Sequence, residues 1–159
     1  MKYVRVRISR GGNEMDPRPY LEALPQLAAS LPPGAREFAT DPEHYDFYSR
    51  RCVKDLALER VTFKEDDDFM ELGFRHNCWK HEEDLTIRYQ GVVRYESTLS
   101  TGMTAWSAVV LDEILPHPDG CRHELALISG SIAVTCEDLF VTWTEADCPD
   151  KAGPGLQPS

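Results

Sequence analysis

"DLTIRYQGVVRYE", residues 84–96, carries the clearest alternation in the chain. Leu85, Ile87, Tyr89, Val93 and Tyr95 all occupy odd positions, and in an extended backbone such residues share one face. The pattern asks for a half-buried strand, and its neighbours repeat the request. Upstream, Met70, Leu72 and Phe74 alternate, and before them Leu56 and Leu58 hold one phase while Val61 and Phe63 hold the other. A one-residue slip at Glu59-Arg60 is what a β-bulge produces. Downstream, "AWSAVVLDEIL" (105–115) reads as a strand and "PHPDG" (116–120) as a turn. "CRHELALI" and "SIAVTCEDLFVTW" then form a hairpin about Ser129-Gly130. In that last run Ile132, Val134 and Cys136 share one phase and Leu139, Val141 and Trp143 the other, so a second bulge is expected at Glu137-Asp138. "KEDDD" (64–68) reads as a turn and "STLSTGMT" (97–104) as a loop.

The N-terminal part differs. Val4, Val6 and Ile8 alternate against Tyr3, Arg5 and Arg7, a strand that Gly11 and Gly12 end. Arg5, Arg7 and Arg10 would form a solvated edge that discourages unwanted strand pairing. Leu21, Leu24, Leu27, Ala28 and Leu31 follow at helical spacing, with Asp16 as N-cap and Pro17 in the tolerated first position. Pro25 predicts a kink or restart near Leu24, "PPG" (32–34) a stop, and "DPEHYDFYSRR" (41–51) a second short helix capped by Asp41. The expected architecture is α+β: an antiparallel β meander of about six strands, a half-barrel or sandwich, with an N-terminal strand and helical segment. Residues 1–145 would form a single domain and 146–159 a disordered Pro/Gly tail.

Composition narrows the function classes. The 159 residues carry 17 Lys and Arg against 27 Asp and Glu, a net charge of −10. Phosphate binding needs clustered cations, so nucleic acid and anionic membrane are poor partners; the acidity first of all serves solubility, and as an alternative it steers the chain towards a basic protein. "MKYVRVRISRGG" lacks the apolar run of a signal peptide, and no window reaches the ~18 apolar residues of a membrane helix. Five cysteines (Cys52, Cys78, Cys121, Cys136, Cys148) without a CxxC pair fit a reducing cytoplasm. Nothing in these features sets an oligomeric state.

Candidate chemistry centres on "FRHNCWKHEED" (74–84). If the strands alternate up and down, this loop and the 116–120 turn share one end. His76, Cys78, His81, His117, Cys121 and His123 would then line one rim, an N/S set that suits zinc. Against this, H-x-C-x-x-H is not a zinc signature, His123 shares the phase of Leu125 and Leu127, and His76 continues that of Phe74. A metal-free polar rim or a pocket beside Trp79 is the alternative. No nucleophile elbow or phosphate loop occurs: "SGS" (129–131) serves as a hairpin turn, and "GPG" (153–155) lacks a flanking strand and helix. Within "VVLDEIL" either Asp112 or Glu113 must face inward, as an acid or base or, by preference, paired with an arginine.

"DLTIRYQGVVRYE", "VVLDEILPHPDGCRHELALIS" and "GSIAVTCEDLFV" together resemble a broad group of small bacterial β-rich proteins of unknown function, some similar to immunity proteins of toxin systems. The resemblance implies a β-rich fold and supplies no catalytic residue. Two functions remain in view. The first is a non-enzymatic binding protein, of immunity or inhibitor type, that needs no cofactor and engages a basic protein. The alternative is a small metal-dependent enzyme or ligand-binding β-barrel with zinc at the His/Cys rim.

Overall fold

The computed structural model describes residues 1–66, 68–99 and 107–147; most of the expected tail and much of the 97–104 loop lie outside them. The described chain is β-rich, with antiparallel sheets and two helices. In order these are β1 (Arg5–Ser9), β2 (Gly12–Asp16), α1 (Arg18–Ala28), α2 (Pro33–Ala39), β3 (Ala57–Lys64), β4 (Phe69–Arg75), β5 (Glu83–Gln90), β6 (Arg94–Ser97), β7 (Val109–His117), β8 (Gly120–Leu127), β9 (Gly130–Cys136) and β10 (Asp138–Glu145). β1 and β2 form a separate hairpin, and two four-stranded sheets run β10-β5-β4-β3 and β6-β9-β8-β7. Neither sheet closes on itself.

The run at 84–96 is therefore two strands in two sheets, and so is the run at 131–143. β5 passes into β6 through Gly91, whose φ of 61° turns the chain. Beside it β9 passes into β10 through Glu137, whose N–H donates to the carbonyls of Gln90 (3.0 Å) and Gly91 (3.2 Å). Gln90 stands opposite Asp138, and Arg94 opposite Thr135. The first strand thus spends one more residue than the second in crossing the corner. The extra residue belongs to 91–93, not to Glu137-Asp138, where the sequence placed its second bulge. Strands that change sheets at a bulge are a common way to fold a sheet over itself. The other expected bulge is present: the β3–β4 register shifts between Leu58 and Arg60. At the opposite lateral edge, Ala57 bridges Ala108.

Buried side chains from both sheets and both helices form one hydrophobic cluster, with Tyr20, Leu31, Leu72, Ile87, Leu111, Leu125 and Val134 among its members. The helices depart from expectation. α1 runs unbroken through Pro25. The carbonyl that Pro25 leaves without its donor is that of Leu21, which is 39% exposed, so water can take the missing N–H's place. Asp16 precedes α1 and accepts the Arg18 N–H at 3.0 Å. "PPG" starts α2 rather than stopping a helix, and 41–51 forms turns. The reason lies far away in sequence. Both Asp138 carboxylate oxygens accept α2 N–H groups, from Gly34 at 3.0 Å and Ala35 at 2.9 Å, and only a glycine at 34 lets the backbone approach the Leu139 carbonyl so closely.

Candidate functional site

Asp112 lies on the inner face of β7 and is 0% exposed. Three groups converge on it. His44 Nε2 faces both carboxylate oxygens, at 2.8 and 2.9 Å, and His123 Nε2 faces one at 2.7 Å. The Tyr45 hydroxyl donates to the Asp112 carbonyl at 3.1 Å. Burial pushes the Asp112 carboxyl up, but the two imidazoles outweigh it and hold the group well below the ordinary carboxylate range. His44 Nδ1 meets the Phe38 carbonyl at 2.8 Å. Both of its nitrogens therefore face acceptors. His123 Nδ1 meets the Tyr89 hydroxyl at 2.7 Å. Burial keeps that phenol protonated, its pKa well above the usual value, so it can donate to His123 Nδ1. His44, Asp112 and His123 form a closed polar network inside the core, away from solvent.

Glu113 points to the other side of the strand and is also buried, under the N-terminal segment. Its carboxylate accepts the backbone N–H groups of Lys2 (2.8 Å), Tyr3 (2.6 Å) and Val4 (2.8 Å). Neither carboxylate meets the arginine expected from the sequence; two histidines and a run of peptide N–H groups serve instead. His44 had no sequence signal of its own. The signal was indirect, since an inward Asp112 demands donors and histidine is one of few that fit a core.

The six rim residues are distributed as follows. His76 Nδ1 binds Asp84 at 2.7 Å. Cys78 is disulfide-bonded, so its sulfur is not a thiolate. His81 is buried; it accepts the Asn77 N–H on Nδ1 (3.0 Å) and donates from Nε2 to the Cys52 carbonyl (2.7 Å). His117 is exposed in the β7–β8 turn and accepts the Asp119 N–H at 3.1 Å. Cys121 is buried with its sulfur 3.7 Å from that of Cys136, its cross-strand partner. His123 belongs to the Asp112 network. The 116–120 turn lies at the corner, with Gly120 against the carbonyls of Cys136 and Glu137, near the Gln90 end of β5. The 76–83 loop enters β5 at its other end, Glu83, so the two do not form the common rim that a single meander would give. Among the described residues, no three His, Cys, Asp or Glu side chains are arranged to hold a metal ion.

What the 76–83 loop does instead is brace the 41–56 segment. Arg50 pairs with Glu82 (3.1 Å), Arg51 takes both Glu83 oxygens (2.8 and 3.0 Å), and Lys80 reaches Asp55 (2.9 Å). Each braced segment displays one aromatic ring: Tyr48 and Trp79 are both 95% exposed. A depression of about 500 Å³ beside Trp79 is lined by Asp55, Arg75, His76 and Asp147. No helix among the described residues is long and apolar enough to cross a membrane. No known family model matches the chain, and no curated protein matches it significantly.

Proposed function

We propose that this chain is a non-enzymatic binding protein of immunity or inhibitor type, and that it engages a basic protein through the face carrying Tyr48 and Trp79. The observation that carries the reading is the near-complete exposure of both rings on segments held by ion pairs and by the His81–Cys52 bond. An exposed aromatic on a rigid support is what binding hot spots use, because little ordering entropy remains to be lost. Asp41, Glu43, Asp46 and Glu82 lie on the same two segments, in a chain of net charge −10. Such a face steers a cationic partner and speeds association. The enclosure of the His44–Asp112–His123 network, each member at most 1% exposed, also favours a binding role over chemistry at that cluster.

The test uses the chain and its Tyr48→Ala/Trp79→Ala variant as immobilised baits in the same lysate. The expected result is a basic protein held by the parent alone and released between about 0.1 and 0.5 M salt. In purified form it should bind the variant at least about tenfold more weakly. Equal retention by both baits, or retention that salt does not weaken, refutes the proposal.

A further inference from the structure

Three of the four edges of the two four-stranded sheets are guarded, and each guard is visible. Along β7, tyrosine hydroxyls take the outward backbone groups. Tyr20 donates to the Ile114 carbonyl (2.6 Å) and accepts the Ile114 N–H (3.3 Å), while Tyr45 donates to the Asp112 carbonyl. β3 is interrupted by its bulge and bridged to Ala108 at its start. β6 is only 4 residues long. Bulges, shortness and covering groups are the usual means of blunting an edge.

β10 has none of these along most of its length. It is 8 residues long, "DLFVTWTE", without proline, lysine or bulge, and it pairs only with β5. Asp138 stands opposite Gln90 and the Ala146 N–H donates to Glu82, so even-numbered residues bond across to β5. Odd-numbered residues turn their N–H and C=O outward. At Leu139 the outward N–H is taken by the Asp138 side chain, and α2 covers that end through Gly34 and Ala35. Past it, the outward groups of Val141, Trp143 and Glu145 have no partner among the described residues. A groove of about 380 Å³ runs beside this stretch, walled by Glu37, Phe38, Asp41 and Arg51 opposite Phe140 and Trp143. Arg51 is engaged by Glu83 and lies 5.8 Å from the Trp143 ring, which leaves Glu37 and Asp41 as the groove's spare charge.

From this we infer that β10 is an acceptor edge for an extended, basic segment of a protein partner. The segment adds as a fifth strand beside Val141–Glu145 and sets a Lys or Arg against Glu37 and Asp41. Strand addition draws affinity from main-chain bonds and specificity from side-chain pockets along the groove. A second copy of this chain is the poorer occupant, since it would bring one acidic edge against another. The inference rests on the reading of the chain as a binding protein for a basic partner, and adds the mode by which that partner is gripped.

The probe is a blocked peptide of about nine alternating Lys, Thr and Val residues, long enough to span a strand. Amide hydrogen exchange is followed on the full chain. At saturation, exchange at Val141, Trp143 and Glu145 should slow at least about tenfold, while Phe140, Thr142 and Thr144, already bonded to β5, change little. Val141→Pro removes an outward N–H without touching the β5 ladder and should weaken binding about tenfold. N-methylation of alternate peptide amides should do the same without altering the protein, and a Glu-for-Lys peptide should bind more weakly still. The inference is overturned if the three amides gain no protection, if the N-methylated peptide binds equally well, or if they exchange slowly before peptide is added. Slow exchange at all concentrations would mean that the chain covers its own edge, and slowing that grows with concentration would mean a second copy. If the peptide fails while capture through Tyr48 and Trp79 persists, only the edge assignment falls. If capture fails while the peptide binds, the partner reading falls and the edge stands.

Discussion

Replacing Asp112 by asparagine keeps the size of the side chain and removes its charge, at a position that is 0% exposed. The carboxylate now receives His44 Nε2 on both oxygens and His123 Nε2 on one. Asparagine replaces one of these oxygens by an NH2 donor: with its oxygen where both imidazoles point, the NH2 opposes His44 Nε2, and with the amide reversed it opposes both His44 and His123. His44, whose second nitrogen faces the Phe38 carbonyl, loses the carboxylate that its Nε2 faces. Removing one member of a buried pair costs about 3–5 kcal/mol. A domain's whole stability is about 5–15 kcal/mol, and a urea slope of ~2 kcal/mol/M converts the loss to a midpoint shift of roughly 1.5–2.5 M. Far-UV circular dichroism in urea at pH 7 measures it, with the slope unchanged. His44→Phe in both backgrounds completes a cycle whose coupling should reach about 2 kcal/mol. The sign with pH follows from the direction of the shift. A folded-state pKa below the unfolded ~3.9 gives a contribution complete above about pH 5 and lost as pH falls through the folded value. As far as Asp112 itself titrates, the gap between parent and variant stays level down to about pH 5 and narrows below about pH 4. A loss under about 1 kcal/mol, or single effects additive within about 0.5 kcal/mol, would refute the account.

Further outcomes follow from the same structure. Tyr20→Phe strips both outward groups of Ile114 of their partner and should cost about 1–3 kcal/mol, or roughly 2–10 °C in a thermal melt. Gly34→Ala sets a methyl group against the Leu139 carbonyl and lifts α2 from Asp138; a loss of about 2–4 kcal/mol is expected in the same melt. Burial, with Lys80 nearby, lowers the His81 pKa, so below about pH 6.5 the unfolded chain binds the extra proton and stability drops on acidification. His81→Gln should flatten the stability profile between about pH 7 and 5; an unchanged profile would count against the assignment.

Much of the strand content could be read from alternation alone, because Leu85, Ile87 and Tyr89, like Met70, Leu72 and Phe74, are buried on one face. The slip at Glu59 was equally visible, since a bulge reverses the phase. The corner at Gly91 was hidden by an accident of parity. Val93 and Tyr95 keep the phase of Tyr89 although the chain has changed sheets, and Val93 is 59% exposed. At Glu137 the phase does reverse, but a bulge and a change of sheet leave the same mark in sequence. β2 was missed because "GNEMD" buries almost nothing and so carries no alternation. α2 was missed because its N-terminal acceptor, Asp138, comes from the last strand. For the candidate site, the sequence marked Asp112, His123, His81 and Trp79 as notable, but partners brought together by the fold decide what each does. His44 and the bracing of 41–56 against 76–83 arise from contacts between distant segments, which spacing does not encode.

The corner where β5 becomes β6 and β9 becomes β10 has a further consequence. Two neighbouring strands pass together from one sheet to the other, so no cut separates the sheets without severing both. Opening either sheet pulls on the ladder that organises its neighbour. Melting should therefore be one cooperative event, with the slowest amides of Leu85 in one sheet and Val134 in the other exchanging through the same global opening.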